Sequence, residues 1–587
     1  MTSRIVPFAC SLVTIALLLA FMDRDYPSVG LDFGQFIPRL IDTDLHIRIN
    51  GLGPQWYTPS FGSGLPAFAN PQHPQYSLVQ LLFLVTGPWT AVLLSTALVS
   101  ALGFAACYLF LNRNLSLSVV PSTLGAMSIV GNGFYMQHIA GGHVGFQLFP
   151  LMPLFLLAGT STRLTIPTAS VLCGLAAAAI VHNGGALIAV LLGASLIITL
   201  QMLHLFVPTA VNWARLIKIG AVSGTVAMAL CASKLYAVQA FMTHFPRVVS
   251  DSYELDLPRA LFGLGSQLAG GMMIIPILYG GGFPTQRLDD ALVRATGSGV
   301  HVSELDVSIQ PVLTIALAVA AIRLLWLVWR RRIVWNVAAP QWLALLLLLL
   351  AVWIAVETTL ARGLLYPTLH QLPIFRSMHV NHRVASVFIL PITVAGAFAI
   401  NAWRSHRRPV LGGLLLATAL LFQSSYFLLP ELFYRRWFDI TKIEQIHQRV
   451  RAGERFPIIR VQEILEENVF QDQASSRLPY EPLLGYDNEY FKGETVNGPV
   501  DMIRDGRFNL TNAASLVFPE LNGLRPFERI HEEDAANFRR FVNREQPQWR
   551  HPAILDWLNV LALAGLVVCA GVLVHAVLTI RKTSQSP

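Results

Sequence analysis

The chain has 587 residues, 54% of them hydrophobic and only 13% charged, with a mean hydropathy of +0.53. That is more apolar surface than a water-soluble fold buries, so the composition excludes a soluble enzyme and predicts an all-α polytopic membrane protein. The formal charge of +8 reports membrane orientation and no nucleic-acid partner: of 42 Lys and Arg, fourteen fall where cytoplasmic turns are expected, among them Arg113, Arg163, Arg215, Lys218, Arg330, Arg331, Arg332 and Arg581, whereas none of the 34 acids does.

In chain order, about twelve transmembrane helices of roughly 20 apolar residues are expected. They lie near 5–22, 88–111, 118–137, 148–162, 167–182, 185–206, 218–238, 308–329, 338–358, 384–403, 411–430 and 553–579. Met1-Thr2-Ser3-Arg4 precedes the first, but no Ala-x-Ala site follows it, so a retained span with a cytoplasmic N-terminus is expected. Cys10, Cys107, Cys173, Cys231 and Cys569 all fall in expected spans, which leaves no disulfide framework and no cysteine metal site. No Gly-x-x-x-x-Gly-Lys occurs, so no built-in nucleotide motor is expected. Residues 1–430 thus form a multi-span domain with a first outer loop at 23–76. A charged stretch at 431–551 forms an extracytoplasmic module, and 552–587 supply the last span and a short cytoplasmic tail.

The 23–76 loop holds the densest chemistry. It runs through Gly30-Leu31-Asp32-Phe33, Asp42-Thr43-Asp44, Trp56-Tyr57-Thr58-Pro59-Ser60-Phe61-Gly62-Ser63-Gly64-Leu65-Pro66 and Asn70-Pro71-Gln72-His73. Carboxylates, His73 and rigid turns together at a membrane surface suit work on a lipid-linked substrate. Asp32 is either a solvated loop acid or a base that takes a proton from an acceptor hydroxyl. Asp42 and Asp44 resemble a metal-binding pair, but the apolar positions of 36–49 favour the charged face of an amphipathic surface helix.

Farther along, Gly141-Gly142-His143 closes the third expected span, and its glycines permit a tight turn that places His143 over a cleft beside the first loop. His143 is a substrate-positioning candidate, or simply an interfacial residue. In Pro373-Ile374-Phe375-Arg376-Ser377-Met378-His379-Val380-Asn381-His382-Arg383, a helix starting after Pro373 would align Arg376, His379 and Arg383 on one face and offer free N–H groups to an anion. Lys234 and Arg247 could add positive charge at the same level. Snorkelling explains single cations at span ends; this concentration of cations and histidines favours a phosphate site. The 431–551 stretch mixes a helix near 443–451 with strand-like runs such as Ile458-Ile459-Arg460-Val461, which predicts a small α+β fold.

The order of these motifs, with Lys234-Leu235-Tyr236, Phe245-Pro246-Arg247, Tyr480-Glu481-Pro482-Leu483-Leu484-Gly485-Tyr486 and Phe508-Asn509-Leu510-Thr511-Asn512, resembles the GT-C superfamily of polytopic membrane glycosyltransferases, and within it a bacterial YfhO-like branch. The resemblance covers most of the chain through scattered short motifs. It implies extracytoplasmic transfer of a sugar from a polyprenyl-phosphate-linked donor, often with inversion, to a glycan, lipid or protein acceptor at a bacterial inner membrane. Asp32 would be the base; Lys234, Arg247, Arg376, His379, His382 and Arg383 would bind the lipid phosphate; Trp56 and Tyr57 could stack on a sugar face. The first-loop acid is followed by Phe33, so the adjacent acidic pair of better-known relatives is missing. If a divalent cation binds, Asp32, Asp44 and His143 are its candidate ligands, and oxygen donors favour magnesium or manganese.

Two other classes fit part of the sequence. A transporter of lipid-linked glycan should show polar groups along both leaflets and repeat symmetry; the outer-side clustering and short inner loops argue against it. A non-catalytic accessory protein of surface-glycan assembly could use the 431–551 module for partner binding.

Overall fold

The computed structural model describes residues 2–245, 265, 306–330, 339–376, 378, 380–403, 408–428, 438–479 and 494–585. In chain order the first ten helices are α1 (Thr2–Asp23), α2 (Phe33–Asn50), α3 (Leu78–Phe83), α4 (Pro88–Leu109), α5 (Val119–Val130), α6 (Gly133–Gly141), α7 (Met152–Thr160), α8 (Ile166–His182), α9 (Ala186–Phe206) and α10 (Trp213–His244). Long helices follow at Pro311–Trp329, Ala339–Leu360, Ile389–Ala402, Pro409–Ser424 and Ile554–Gln585. Their starts are encoded locally. Gly87 precedes Pro88 at the head of α4, the Thr165 side chain accepts the Thr168 N–H ahead of α8, and Asn212 does the same for Arg215 ahead of α10.

Among the described residues eight helices are long and apolar enough to cross a membrane, and three shorter apolar ones accompany them at 144–160, 166–182 and 409–424. The chain is an integral membrane protein. The segment at 381–402 has 78% of its apolar window buried inside the protein and forms the bundle's centre, whereas only 6% is buried at 554–579, which lies at its edge. The span expected at 118–137 does not form as one helix. It breaks at Gly131-Asn132, where the Asn132 side chain accepts the Tyr135 N–H and starts α6 anew, and where a side chain at 131 would overlap the Gln423 amide.

The described residues also form short strands: β1 (Ser28–Val29), β2 (Tyr57–Thr58), β3 (Leu65–Pro66), β4 (Phe438–Asp439), β5 (Arg460–Gln462), β6 (Ala474–Ser476), β7 (Gly498–Pro499), β8 (Arg507–Thr511) and β9 (Arg529–His531). With the helices Thr441–Arg451 and Ala535–Val542 they make the 438–551 region a mixed α and β unit. β5 pairs parallel with β6 and antiparallel with β7; β8 pairs antiparallel with β9.

This unit is interlocked with the first loop. β1 pairs antiparallel with β4, Phe61 bridges Ser476, and the Thr511 N–H donates to the Ser63 carbonyl at 2.8 Å. Arg39 forms a double hydrogen bond to Glu466, both at 3.2 Å. The expectation of an amphipathic surface helix over 36–49 is therefore corrected. α2 is buried continuously from Gln35 to His46, because sequence 427 to 502 positions away roofs its polar face and supplies the partner charges.

Candidate active site

Asp32 is the residue before α2, and its backbone is fixed from both sides. Its carbonyl accepts from the N–H groups of Gln35 and Phe36, and its own N–H donates to the Gly141 carbonyl at 3.1 Å. That last bond joins the first loop to the end of α6. Gly142 caps α6 in the left-handed conformation, with φ +102°, and a side chain there would overlap the Phe33 N–H; one at Gly30 would overlap the Ala140 carbonyl. Two glycines thus allow backbone to lie directly on backbone.

The turn delivers His143 to Asp32. His143 Nε2 lies 3.2 Å from Asp32 Oδ2, with the side chains 14% and 10% exposed. The carboxylate also sits at the start of a helix, where the unpaired N–H dipoles favour negative charge. His138, one turn back, directs Nδ1 at the Phe134 carbonyl at 2.7 Å; since a carbonyl only accepts, Nδ1 carries the proton. The two imidazole rings are 5.1 Å apart. Phe146 packs against both, at 4.8 and 5.7 Å, and the half-buried Arg383 guanidinium lies 5.1 Å over the Phe146 ring. Two imidazoles and a guanidinium thus surround one aromatic ring, and the Asp32 carboxylate lies against the nearer imidazole, His143. That set can accept a proton and stabilise an anion within one small region.

Other expected residues fall elsewhere. Lys234, 2% exposed, donates to the carbonyls of Asn70 and His73 at 2.7 and 3.3 Å and lies over the Phe68 ring, so it anchors the end of the first loop. That loop end abuts the His143 turn: a side chain at Gly184 would meet the Gln72 carbonyl at 2.9 Å, and Asn183 donates to the Val144 carbonyl. His73 is buried with Nε2 3.4 Å from the Thr43 hydroxyl. Burial first, and the nearby charges of Lys234 and Arg39 next, hold its imidazole well below the usual range.

Trp56 and Tyr57 are both buried. His551 stacks on Trp56 at 4.9 Å and Phe68 packs T-shaped against it, while Trp549 packs T-shaped against Tyr57 at 5.1 Å. The helix expected after Pro373 lasts only to Arg376, which is exposed. Val380 is then non-helical at φ −117°, ψ 74°, and a 3-10 turn carries His382 and Arg383, so the i, i+3, i+7 face does not form. His382 is buried beside Arg383. Arg247 and His379 lie outside the described residues.

The donor set of Asp32, Asp44 and His143 does not assemble either. Asp44 lies twelve positions along α2 from Asp32, about 18 Å at the helical rise, and it faces Arg48 at 3.0 Å and His447 at 3.9 Å. Asp42 is bound by Gln55, Ser60 and Arg544.

Sequence reading missed His138, Phe146 and Arg544. The first two flank His143 by five and three positions, a signal visible in the sequence; Arg544 has none, being 502 positions from Asp42.

No protein-family model matches the chain, and no curated protein does. Among solved structures the chain is similar to the arabinofuranosyltransferase AftD from Mycobacteria, determined by cryo-EM, with a TM-score of 0.43 and 14% identity. The match covers 81% of this chain and 32% of AftD, so the chain spans about a third of that neighbour's length.

Proposed function

We propose that the protein is a membrane glycosyltransferase that moves a sugar from a polyprenyl-phosphate-linked donor to an extracytoplasmic acceptor by direct, inverting displacement. One observation carries this reading: the first-loop carboxylate Asp32 is held 3.2 Å from His143, and Arg383 stands alongside over Phe146. Displacement at an anomeric carbon needs one base to take the acceptor proton, and a phosphate leaving group needs positive charge more than it needs an acid. Asp32 supplies the base and His143 fixes its orientation. Arg383, with the neighbouring His382, supplies the charge for the lipid phosphate.

Asp32 lies nine positions beyond the end of α1, within reach of a lipid-borne donor. In this reading the site and the 438–551 unit face the extracytoplasmic side of a bacterial inner membrane, an orientation supported by the basic residues gathered in the turns assigned to the opposite side.

The test is transfer from a panel of radiolabelled polyprenyl-phosphate sugars to extracted membrane acceptors, comparing wild type with Asp32→Asn of equal thermal stability. Transfer by wild type and a loss of about 10²-fold or more in the variant are expected. Equal transfer by both would remove Asp32 as the base. Donor binding without transfer in either would point to the transporter or accessory class.

A further inference from the structure

Arg383 leaves the chain where the backbone is not an α-helix. Val380 has φ −117° and ψ 74°, and the Arg383 N–H donates to the Val380 carbonyl at 3.2 Å. A turn over 380–383 therefore sets the direction of the guanidinium that lies 5.1 Å over Phe146. Asn381, the second residue of that turn, is buried, and its Nδ2 donates to the Tyr366 hydroxyl at 2.9 Å, fifteen positions back. Its Oδ1 is buried with no hydrogen-bond partner among the described residues. A half-satisfied buried amide serves stability less well than an apolar side chain of similar shape. What an apolar side chain could not do is bind Tyr366.

Tyr366 is fixed in turn by Glu357, in the last turn of the helix Ala339–Leu360. The chain reverses after that helix through Ala361 at φ +55° and Gly363 at φ +132°, and it passes so close to the Glu357 carboxylate that a side chain at 363 would overlap it. The N–H groups of Leu364, Leu365 and Tyr366 donate to that carboxylate at 2.9, 2.6 and 3.0 Å. Hydrogen bonds to a carboxylate are among the strong ones, and three in a row leave the Tyr366 backbone little freedom. Glu357 and Tyr366 are 5% and 7% exposed. A continuous chain of contacts thus runs from a buried acid, through a tyrosine hydroxyl, to the turn that carries Arg383.

We infer that Tyr366 and Asn381, anchored by Glu357, are positioning residues for Arg383: they hold the 380–383 turn so that the guanidinium stays over Phe146. The inference rests on the transferase reading only for what Arg383 then does, which is to meet the donor phosphate.

The test uses the full chain in detergent micelles, with para-fluorophenylalanine in place of Phe146 and the fluorine resonance of that ring as the readout. Arg383→Gln, which removes the guanidinium, gives the reference shift. Tyr366→Phe and Asn381→Leu cut the tie from its two ends, so that one of them can fail to fold without ending the test. Each is expected to move the resonance toward its position in Arg383→Gln and to add little when Arg383→Gln is already present. A wild-type resonance in the folded variants, an equal shift with and without Arg383, or no shift in Arg383→Gln overturns the inference. For transfer, Tyr366→Phe should lower kcat/KM for the polyprenyl-phosphate sugar about tenfold, and no further on top of Arg383→Gln. A tie-dependent resonance in a protein that transfers no sugar would sink the transferase reading alone; transfer with an unmoved resonance would sink the positioning alone.

Discussion

Gly142 combines a left-handed φ of +102° with a backbone approach that leaves no room for a Cβ. Gly142→Ala therefore meets two penalties, left-handed strain of about 1–2 kcal/mol and overpacking of about 1–3 kcal/mol. Expected are a lower unfolding temperature in detergent and loss of transfer, because the Asp32–His143 contact depends on that turn. His143→Gln tests the contact without touching the backbone. A misplaced carboxylate should lower kcat about 10²-fold with little change in KM, whereas a residue that merely packs would leave kcat unchanged at equal stability.

The junction between α2 and the 438–551 unit is held by buried charge. Asp42 and Arg544 are 2% and 6% exposed, and removing either leaves the other uncompensated. Asp42→Ala and Arg544→Ala should each cost about 3–5 kcal/mol of stability. The double variant should cost much less than the sum, as a double-mutant cycle by denaturant unfolding would show. His447 adds pH sensitivity at the same junction. It packs on Phe83, 3.9 Å from Asp44; burial, then the charges of Arg451 and Arg48, lowers its imidazole to about 4 from 6.5. A folded-state pKa below the unfolded one means that its contribution is present above pH 6.5 and is lost as the pH falls toward 4. His447→Phe should flatten the fall in unfolding temperature across that window.

Across the whole molecule, what was legible in sequence was what local pattern decides. Apolar runs mark the helices, and the Gly-Gly-His turn announces a close approach because few other residues tolerate it. The interior of α2 was not legible: Arg39, Asp42 and Asp44 have the pattern of a solvated face, and only distant partners such as Glu466, Arg544 and His447 reverse their environment. The burial of Tyr57 and Trp56 was not legible for the same reason, since Trp549 and His551 pack against them from far along the chain. The apparent helical spacing of Arg376 and Arg383 fails because Val380 leaves the helical region. Removing residues 438–551 should therefore strip α2 of its roof, and limited proteolysis of the membrane-embedded remainder should cut within 33–76, a region resistant in the full chain.

The 502 positions between Asp42 and Arg544 also set a clock. At ribosomal rates of about 5–20 residues per second, the carboxylate waits about 25–100 s for its guanidinium, long after the first helices have been made. During that interval α2 stands half-finished with its charges hydrated, so the protein cannot set its first loop until nearly all of it exists. Synthesis that stops early yields inserted helices and an open loop, a product that quality-control proteases can distinguish from the finished chain.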